Sequence, residues 1–243
     1  LDAISAILRS PQEQSGIESA VGVAEIGPDR PVLSEESELL RRLLDRQGRV
    51  ELDVVMLAGA ANRFVFSFMA RPDIKSIHDL KGKKIGITRI GSSTYTVTQW
   101  VMSRAGVKPD DYQLLQLVDV PNMMTAMLAG QVDAGALSPP TNFRARKAGL
   151  NELVDLSKEG PEYVSVAVGS TRSFVRANED MVRRLVRGYS EGVAFLKVNK
   201  AAGIRAIQKY ARIKDPDILA ATYGEARSYV ETIPYLSRRG LET

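Results

Sequence analysis

The sequence predicts an α/β fold of two lobes. Its 243 residues exceed the roughly 50 to 200 residues of a typical single domain. Short apolar runs alternate with helical segments between residues 50 and 170, and the last third is helical. Such alternation is typical of a sheet with helices packed on its faces.

Short apolar runs identify the strands. Residues 50–70 hold two such runs, broken by Gly59 and the Ala-Ala-Asn sequence at 60–62, which predicts two strands joined by a turn. Further strands are predicted at 85–88, 114–118 and 132–137, and near 153–156 and 163–170.

Helices are predicted from apolar periodicity and capping residues. Residues 179–198, after the cap Asn178, place apolar side chains at i, i+3, i+4 and i+7, so they form one amphipathic helix. Ser34 is predicted to cap a helix over the leucines at 39–44. The other predicted helices cover residues 94–105, 122–129, 142–148, 199–210 and 216–230.

Composition excludes several classes of protein. The net charge of +4 arises from 33 basic and 29 acidic residues without a run of five like charges, so no nucleic-acid partner is predicted. The absence of cysteine excludes disulfides, thiolate metal sites and a cysteine nucleophile. No metal site and no cofactor are predicted.

No window approaches the roughly 18 apolar residues of a membrane helix, so no membrane span is predicted. The first residues, LDAISAILRSPQEQ, lack the basic and apolar regions of an export signal. Because the chain begins with Leu1, we expect a processed or trimmed product.

The stretch SIHDLKGKKIGITRIGSSTY, residues 76–95, predicts a strand that leads through a glycine turn into a helix. Gly91 permits the turn, and Ser92, Ser93 and Thr94 supply hydroxyl groups at the helix start. Free N–H groups at such a helix start suit an anionic ligand, although the hydroxyls could also serve only as a cap. NTP binding is not predicted, because Ser92-Ser93 stands where a P-loop needs Lys-Ser/Thr.

Two stretches carry a family resemblance: MLAGAANRFVFSFMARPDIKSIHDLKGKKIGITRIGSSTY and, later, MLAGQVDAGALSPPTNFRARKAG. They resemble the solute-binding proteins of ABC importers for nitrate, sulfonates, taurine and pyrimidine thiamine precursors. The resemblance runs from about residue 52 to residue 234.

The resemblance implies a two-lobed periplasmic-binding-protein-like fold of type II, with a ligand cleft between the lobes. Residues 1–75 and 166–243 would form the first lobe and residues 76–165 the second, with hinge crossings at 64–71 and 164–171. The ligand-binding residues implied are Asn62, Arg63, Gly91, Ser92, Ser93, Thr94, Ser138, Pro139 and Tyr163.

The chain departs from the family pattern at its start. Family members open with a strand, a helix and a further strand entry, and residues 1–49 do not show these elements. The first lobe is therefore expected to be atypical or incomplete at the N-terminus.

The resemblance implies an extracytoplasmic or periplasmic receptor that captures a small anionic or polar ligand and delivers it to the membrane permease of an ABC transporter. The alternative is an enzyme on the same fold in thiamine or menaquinone biosynthesis. The related fungal pyrimidine synthases use histidine and a cysteine-rich motif, and this chain has one histidine and no cysteine. A third alternative is the effector domain of a regulator.

Other prominent residues have structural interpretations. His78 is expected on the surface, since no partner for metal binding or catalysis is visible near it. Asp133 is expected to accept hydrogen bonds from backbone donors at a strand start. Met123, Met124 and Met127 lie at helical spacing, which predicts core packing.

Overall fold

The structure is a computed structural model that describes residues 53–242. The described chain divides into two compact units. The smaller holds residues 53–58 and 168–189, and the larger holds residues 59–167 and 190–242. The helix predicted after Ser34 and the expected departure of the first lobe lie outside the described residues.

Within residues 53–242, seven strands form two sheets, one of two strands and one of five. The strands are β1 (Val54–Arg63), β2 (Ser67–Ala70), β3 (Lys84–Ile87), β4 (Gln113–Gln116), β5 (Ala134–Leu137), β6 (Asn151–Asp155) and β7 (Glu162–Thr171). β1 pairs with β7, and the larger sheet has the order β4-β3-β5-β2-β6.

Nine α-helices fall within the described residues, together with 3-10 turns at Ile77–Leu80 and Pro109–Asp111. The helices are α1 (Ser93–Arg104), α2 (Val120–Leu128), α3 (Thr141–Lys147), α4 (Leu156–Glu159), α5 (Arg172–Ala177), α6 (Glu179–Val198), α7 (Lys200–Ala211), α8 (Pro216–Tyr229) and α9 (Arg238–Glu242). The predicted helix over residues 179–198 is confirmed.

The five-stranded sheet is mixed. β3 runs parallel to both β4 and β5, whereas β2 runs antiparallel to both β5 and β6. The carboxyl ends of β3, β4, β5 and β6 therefore lie along one edge, where β2 begins. Ligands of open α/β sheets bind beyond this carboxyl edge.

Helices cover both faces of this sheet. Successive side chains of a strand point to opposite faces, and Phe68 and Met69 accordingly lie in two separate apolar clusters. Phe68 packs in the cluster that includes Val97 of α1, and Met69 packs in the cluster that includes Met123 of α2. All four residues of β2 are buried, as expected for a central strand.

Two glycines let α2 approach the sheet closely. Gly86 of β3 and Gly135 of β5 are register partners. A Cβ atom would lie 2.8 Å from Met123 Cγ at Gly86 and 2.4 Å from Met123 Sδ at Gly135. The prediction that the methionines fill the core is confirmed, since Met123 and Met127 are buried and Met124 packs against their cluster.

The predicted turn at residues 60–62 is wrong. β1 continues to Arg63, and the chain leaves the strand only at residues 64–66. β1 pairs with β7, and Gly59 N–H donates to Pro234 O at 2.9 Å. A Cβ atom at Gly59 would lie 2.2 Å from Tyr235 O. Gly59 is needed because the segment at Pro234 and Tyr235 approaches the strand closely. This tertiary contact keeps the strand extended.

Asp133 takes the structural role expected of it. Its carboxylate accepts the N–H of Lys84 at 2.9 Å, and its own N–H donates to Lys84 O at 2.7 Å. These bonds join the chain before β5 to the start of β3.

Candidate functional site

The glycine turn lies at the carboxyl edge of the five-stranded sheet. β3 ends at Ile87 and α1 begins at Ser93. Gly91 has φ +82°, a left-handed conformation that glycine adopts without steric cost. Ser92 is the N-cap of α1, and its hydroxyl accepts the N–H of Tyr95 at 3.3 Å.

Two of the hydroxyls predicted to bind ligand, those of Ser92 and Thr94, form hydrogen bonds within the turn itself. Ser92 and Thr94 are 5% and 3% exposed. Ser92 Oγ lies 2.9 Å from Thr94 Oγ1. Thr88 Oγ1 lies 2.9 Å from Ser92 Oγ and 3.0 Å from Thr94 Oγ1. Ser92 Oγ also donates to Arg89 O at 2.7 Å, and Thr94 Oγ1 accepts the N–H of Thr88 at 2.9 Å. These hydroxyls hold the shape of the turn.

The donors that remain belong to the first turn of α1. The backbone N–H groups of Ser93 and Thr94 have no acceptor among residues 53–242. The half-buried Ser93 hydroxyl likewise has no partner in that part of the chain. The positive end of the dipole of this 12-residue helix coincides with these donors. The turn can thus bind an acid group without a lysine or arginine.

Ser138 and Pro139 lie at the same edge, because β5 pairs in parallel with β3. Both residues are half-buried. Ser138 O accepts hydrogen bonds from the N–H groups of Thr141 at 2.9 Å and Asn142 at 3.2 Å. These two N–H groups at the start of α3 therefore already have an acceptor. The Ser138 hydroxyl makes no hydrogen bond within residues 53–242.

The other three predicted site residues lie near the ends of β1 and β7. Asn62 is 4% exposed, and its amide donates to Tyr235 O at 3.1 Å. The exposed Arg63 donates to Ser157 O at 3.3 Å, just past the carboxyl end of β6. Tyr163 stacks on Phe64 with ring centroids 4.4 Å apart. Asn62 and Tyr163 therefore make contacts that also support the fold.

A buried polar cluster near this edge was not found from the sequence. The fully buried Asn142 donates to Ser67 Oγ at 3.2 Å and to a carboxylate oxygen of Glu225 at 3.4 Å. Arg146, one turn further along α3, donates to Ser67 Oγ at 3.0 Å and to Glu152 at 2.8 Å. The i, i+4 spacing of Asn142 and Arg146 was the only local signal, and their partners are remote in sequence.

This cluster contains a perturbed carboxyl group. Burial raises the pKa of Glu225, while the hydrogen bond from Asn142 opposes this effect. Asp155 raises it further by charge repulsion, and Arg146 lowers it. For Arg146, burial lowers the pKa, but the hydrogen bond and charge of Glu152 outweigh it and the net shift is upward.

The single histidine lies away from this edge. His78 is exposed on the 3-10 turn that precedes β3, at the amino end of that strand. Its expected surface position is confirmed.

Comparison with known proteins assigns the family. Residues 41–201 match the model of the family described as NMT1/THI5 like. The chain belongs to this family. A curated relative of this NMT1/THI5-like chain from Brucella abortus (strain 2308), named only as a binding protein, is 25% identical over 173 residues. The match covers 70% of this chain and 52% of the relative, so the chain spans about half the length of the curated relatives it matches.

Solved structures similar to this NMT1/THI5-like chain show its fold. The alkanesulfonate-binding protein SsuA from Xanthomonas axonopodis pv. citri, bound to MOPS, matches with a TM-score of 0.66 and 20% identity, over 84% of this chain and 68% of SsuA. A cysteine-to-serine variant of DszB in complex with biphenyl-2-sulfinic acid matches with a TM-score of 0.60 and 17% identity, over 78% of this chain and 69% of DszB. The α/β periplasmic-binding-protein fold predicted from the sequence is confirmed.

The helices of residues 53–242 include none that is both long and apolar enough to cross a bilayer.

Proposed function

We propose that this NMT1/THI5-like chain is an extracytoplasmic solute-binding receptor of an ABC importer. It captures a small anionic or polar organic ligand, such as a sulfonate, nitrate, carboxylate or pyrimidine, and passes it to the membrane permease. Family membership and the fold shared with an alkanesulfonate-binding protein support this function.

The observation that carries the proposal is the pair of N–H groups at Ser93 and Thr94, which have no acceptor in the described part of the chain and lie at the sheet edge where ligands of such folds bind. A hydrogen bond to a charged group contributes about 1.5 to 3 kcal/mol. Two such bonds and one from the Ser93 hydroxyl supply a large part of the roughly 8 kcal/mol of a micromolar complex.

The remaining contacts would come from the neighbouring loops. The Ser138 hydroxyl, which has no partner within residues 53–242, and the ring of Pro139 lie at the end of the adjacent strand, and the exposed Arg63 would add a positive charge. In this proposal Gly91, Ser92 and Thr94 shape the turn, while Asn62 and Tyr163 contribute the wall at the ends of β1 and β7.

Capture would proceed by closure of two lobes, residues 1–75 with 166–243 and residues 76–165. Small-angle scattering at saturating ligand should then show a smaller radius of gyration than without ligand. An unchanged radius would contradict closure.

Ligand binding can be tested by a thermal-shift screen of sulfonates, carboxylates, nitrate and pyrimidines. Ligand at about 100 times its Kd should add about 2.7 kcal/mol of stability. The informative variants are Gly91→Ala and Ser93→Ala, which should weaken binding of any hit.

The two ends of α1 provide matched controls. Gly106, just beyond α1, also has positive φ, at +68°, and a Cβ there meets nothing within 4 Å. Gly106→Ala therefore carries the same backbone strain away from the site. Ser103→Ala removes a hydroxyl that donates to Trp100 O near the end of the helix. A hit whose affinity is equally insensitive to all four substitutions would overturn the site.

The alternative function is that of an enzyme on the same fold, and the structural similarity to DszB is the reason to test it. The absence of cysteine and the exposed position of His78, away from the proposed site, favour the receptor. A hit should be recovered chemically intact after long incubation with the protein. Conversion of the hit, lost in a Ser93→Ala variant, would establish the enzyme instead.

A further inference from the structure

A small pocket opens on the α1 side of the five-stranded sheet. Its volume is about 160 Å³, and Ile77, Trp100, Val101 and Val154 supply most of its apolar wall. These four residues belong to, or pack against, the apolar cluster that α1 forms with the sheet. An apolar cavity of about 150 Å³ can hold a six-carbon ring. We call this cavity the Trp100 pocket.

Arg104 supplies a positive charge at the Trp100 pocket. Its guanidinium lies over the Trp100 ring, with Arg104 Cζ 5.2 Å from the ring centroid. Stacking uses the flat face of the guanidinium, whereas its N–H groups point outward in the plane and can still donate. Arg104 is exposed, and it makes no hydrogen bond or ion pair within residues 53–242.

Glu159 supplies a negative charge at the same pocket. One of its carboxylate oxygens accepts the Asp155 N–H at 3.4 Å. The adjacent cation, Lys158, pairs with Asp155 at 2.7 Å instead. Glu159 and Arg104 therefore line one cavity without forming an ion pair with each other. Two such opposite charges beside an apolar wall are complementary to a ligand that carries both charges and a hydrocarbon group.

The Trp100 pocket is distinct from the donors at the start of α1. Trp100 and Arg104 lie about 10 and 16 Å further along α1 than Ser93, at a rise of about 1.5 Å per residue. All the residues that line the pocket belong to the larger of the two compact units. Occupation of the pocket therefore does not require the donors at Ser93.

We propose that the Trp100 pocket binds a free α-amino acid with a large aliphatic side chain, such as leucine. The carboxylate pairs with Arg104, the ammonium group pairs with Glu159, and the side chain fills the apolar cavity. An α-amino acid carries both charges on the carbon that bears its side chain, so it uses all three features at once. This second binding site goes beyond the proposed receptor function and does not depend on it.

Titration of L-leucine into the 243-residue chain tests the site. Trp100 is the only tryptophan in the chain, so its fluorescence reports events at the pocket wall, and a saturable change is expected. Alanine should bind at least about ten-fold more weakly, because each buried methylene contributes about four-fold. Two analogues that lack one charge, 4-methylpentanoate and 3-methylbutylamine, should each bind about three-fold more weakly than leucine.

Charge variants separate the two ends of the ligand. Arg104→Gln should abolish the preference for leucine over 3-methylbutylamine. Glu159→Gln keeps an acceptor for the Asp155 N–H and should abolish the preference for leucine over 4-methylpentanoate. Calorimetry measures both, since loss of the stacked cation alters the fluorescence of Trp100 itself. The matched controls Arg205→Gln and Glu191→Gln change exposed residues of α7 and α6 and should keep both preferences.

The remaining outcomes overturn the inference. Leucine binding that is lost in Ser93→Ala but kept in Arg104→Gln places the amino acid at the start of α1 instead. Leucine that binds no more tightly than alanine, or preferences that survive in both charge variants, exclude the arrangement described above. No saturable response to leucine up to about 10 mM excludes the site as well, and it leaves the receptor function standing.

Discussion

The side chain of Asn62 holds the backbone of Ser237, 175 positions later in the chain. Asn62 Oδ1 accepts the Ser237 N–H at 3.0 Å, and its amide group donates to Tyr235 O at 3.1 Å. Both Asn62 and Ser237 are buried. One strand residue thus fastens the segment before α9 to β1.

Substitution of this asparagine should therefore destabilise the fold. Asn62→Ala leaves a buried N–H and a carbonyl without partners, which should lower the free energy of unfolding by about 2 to 3 kcal/mol. Urea denaturation measures the change. The control Asn122→Ala removes an exposed amide and should shift stability by less than about 0.5 kcal/mol. A loss of ligand affinity at unchanged stability would instead make Asn62 a ligand contact.

Packing of Met123 against the two strand glycines makes a second prediction. Gly135→Ala should destabilise by about 1 to 3 kcal/mol, because its Cβ would meet both Met123 Sδ and Gly86 O. Gly86→Ala should cost less, since its Cβ meets only the flexible side chains of Met123 and Leu117. Met123→Ala combined with Gly135→Ala should be less harmful than the sum of the two, though Gly86 O still opposes the new methyl group.

The exposed helix glycine Gly224 is the control for this pair. It lies in α8, where a Cβ meets nothing within 4 Å. Gly224→Ala should raise stability by about 0.5 to 1 kcal/mol. Equal effects at positions 135 and 224 would contradict the packing account.

The left-handed backbone at Val118 makes a third prediction. Val118→Asn should raise the free energy of unfolding by about 1 kcal/mol, because asparagine tolerates positive φ better than a β-branched residue. Val118→Gly should gain less, since glycine also increases the entropy of the unfolded chain. Thermal unfolding of the two variants measures both effects, and a loss of stability in Val118→Asn would contradict the strain.

Glu225 makes a prediction about pH. Burial is the main cause that raises its pKa above the ordinary 4.5, so the folded state binds the proton more tightly than the unfolded state. This contribution to stability is complete below pH 4.5 and is lost as pH rises through the folded-state pKa. Three charged groups act on Glu225 from β6 and α3, namely Asp155, Arg146 and Glu152. Burial is the main cause that raises the pKa of Tyr229, one turn along α8, and the charge of Glu225 adds to it.

Glu225→Gln removes this titration. The variant should therefore gain stability relative to the wild type as pH rises from 4 to 8, as measured by urea denaturation at each pH. Glu191→Gln, at an exposed position on α6, serves as the control and should keep the wild-type pH trend. A difference between Glu225→Gln and wild type that does not depend on pH would contradict the prediction.

Local sequence was enough to predict most elements. The apolar stripe over residues 179–198 specifies a helix because 3.6-residue periodicity acts within one segment. The apolar run at Ile85 and the glycine turn at Gly91 predict a strand, a turn and a helix start for the same reason. These features depend on neighbours only a few residues away.

Only the tertiary structure decided which segments meet. The sheet order places β3 beside β5, which brings Ser93 and Ser138 to one edge, and it inserts β2 between β5 and β6. It also continues β1 through residues 60–62, against the local turn signal, because strand pairing and the C-terminal segment stabilise the extended backbone. Asn142 meets Ser67 across 75 positions, and such partners are selected by burial and hydrogen-bond satisfaction in the folded core. No short stretch of sequence contains both members of such a pair, so its own pattern could not reveal them.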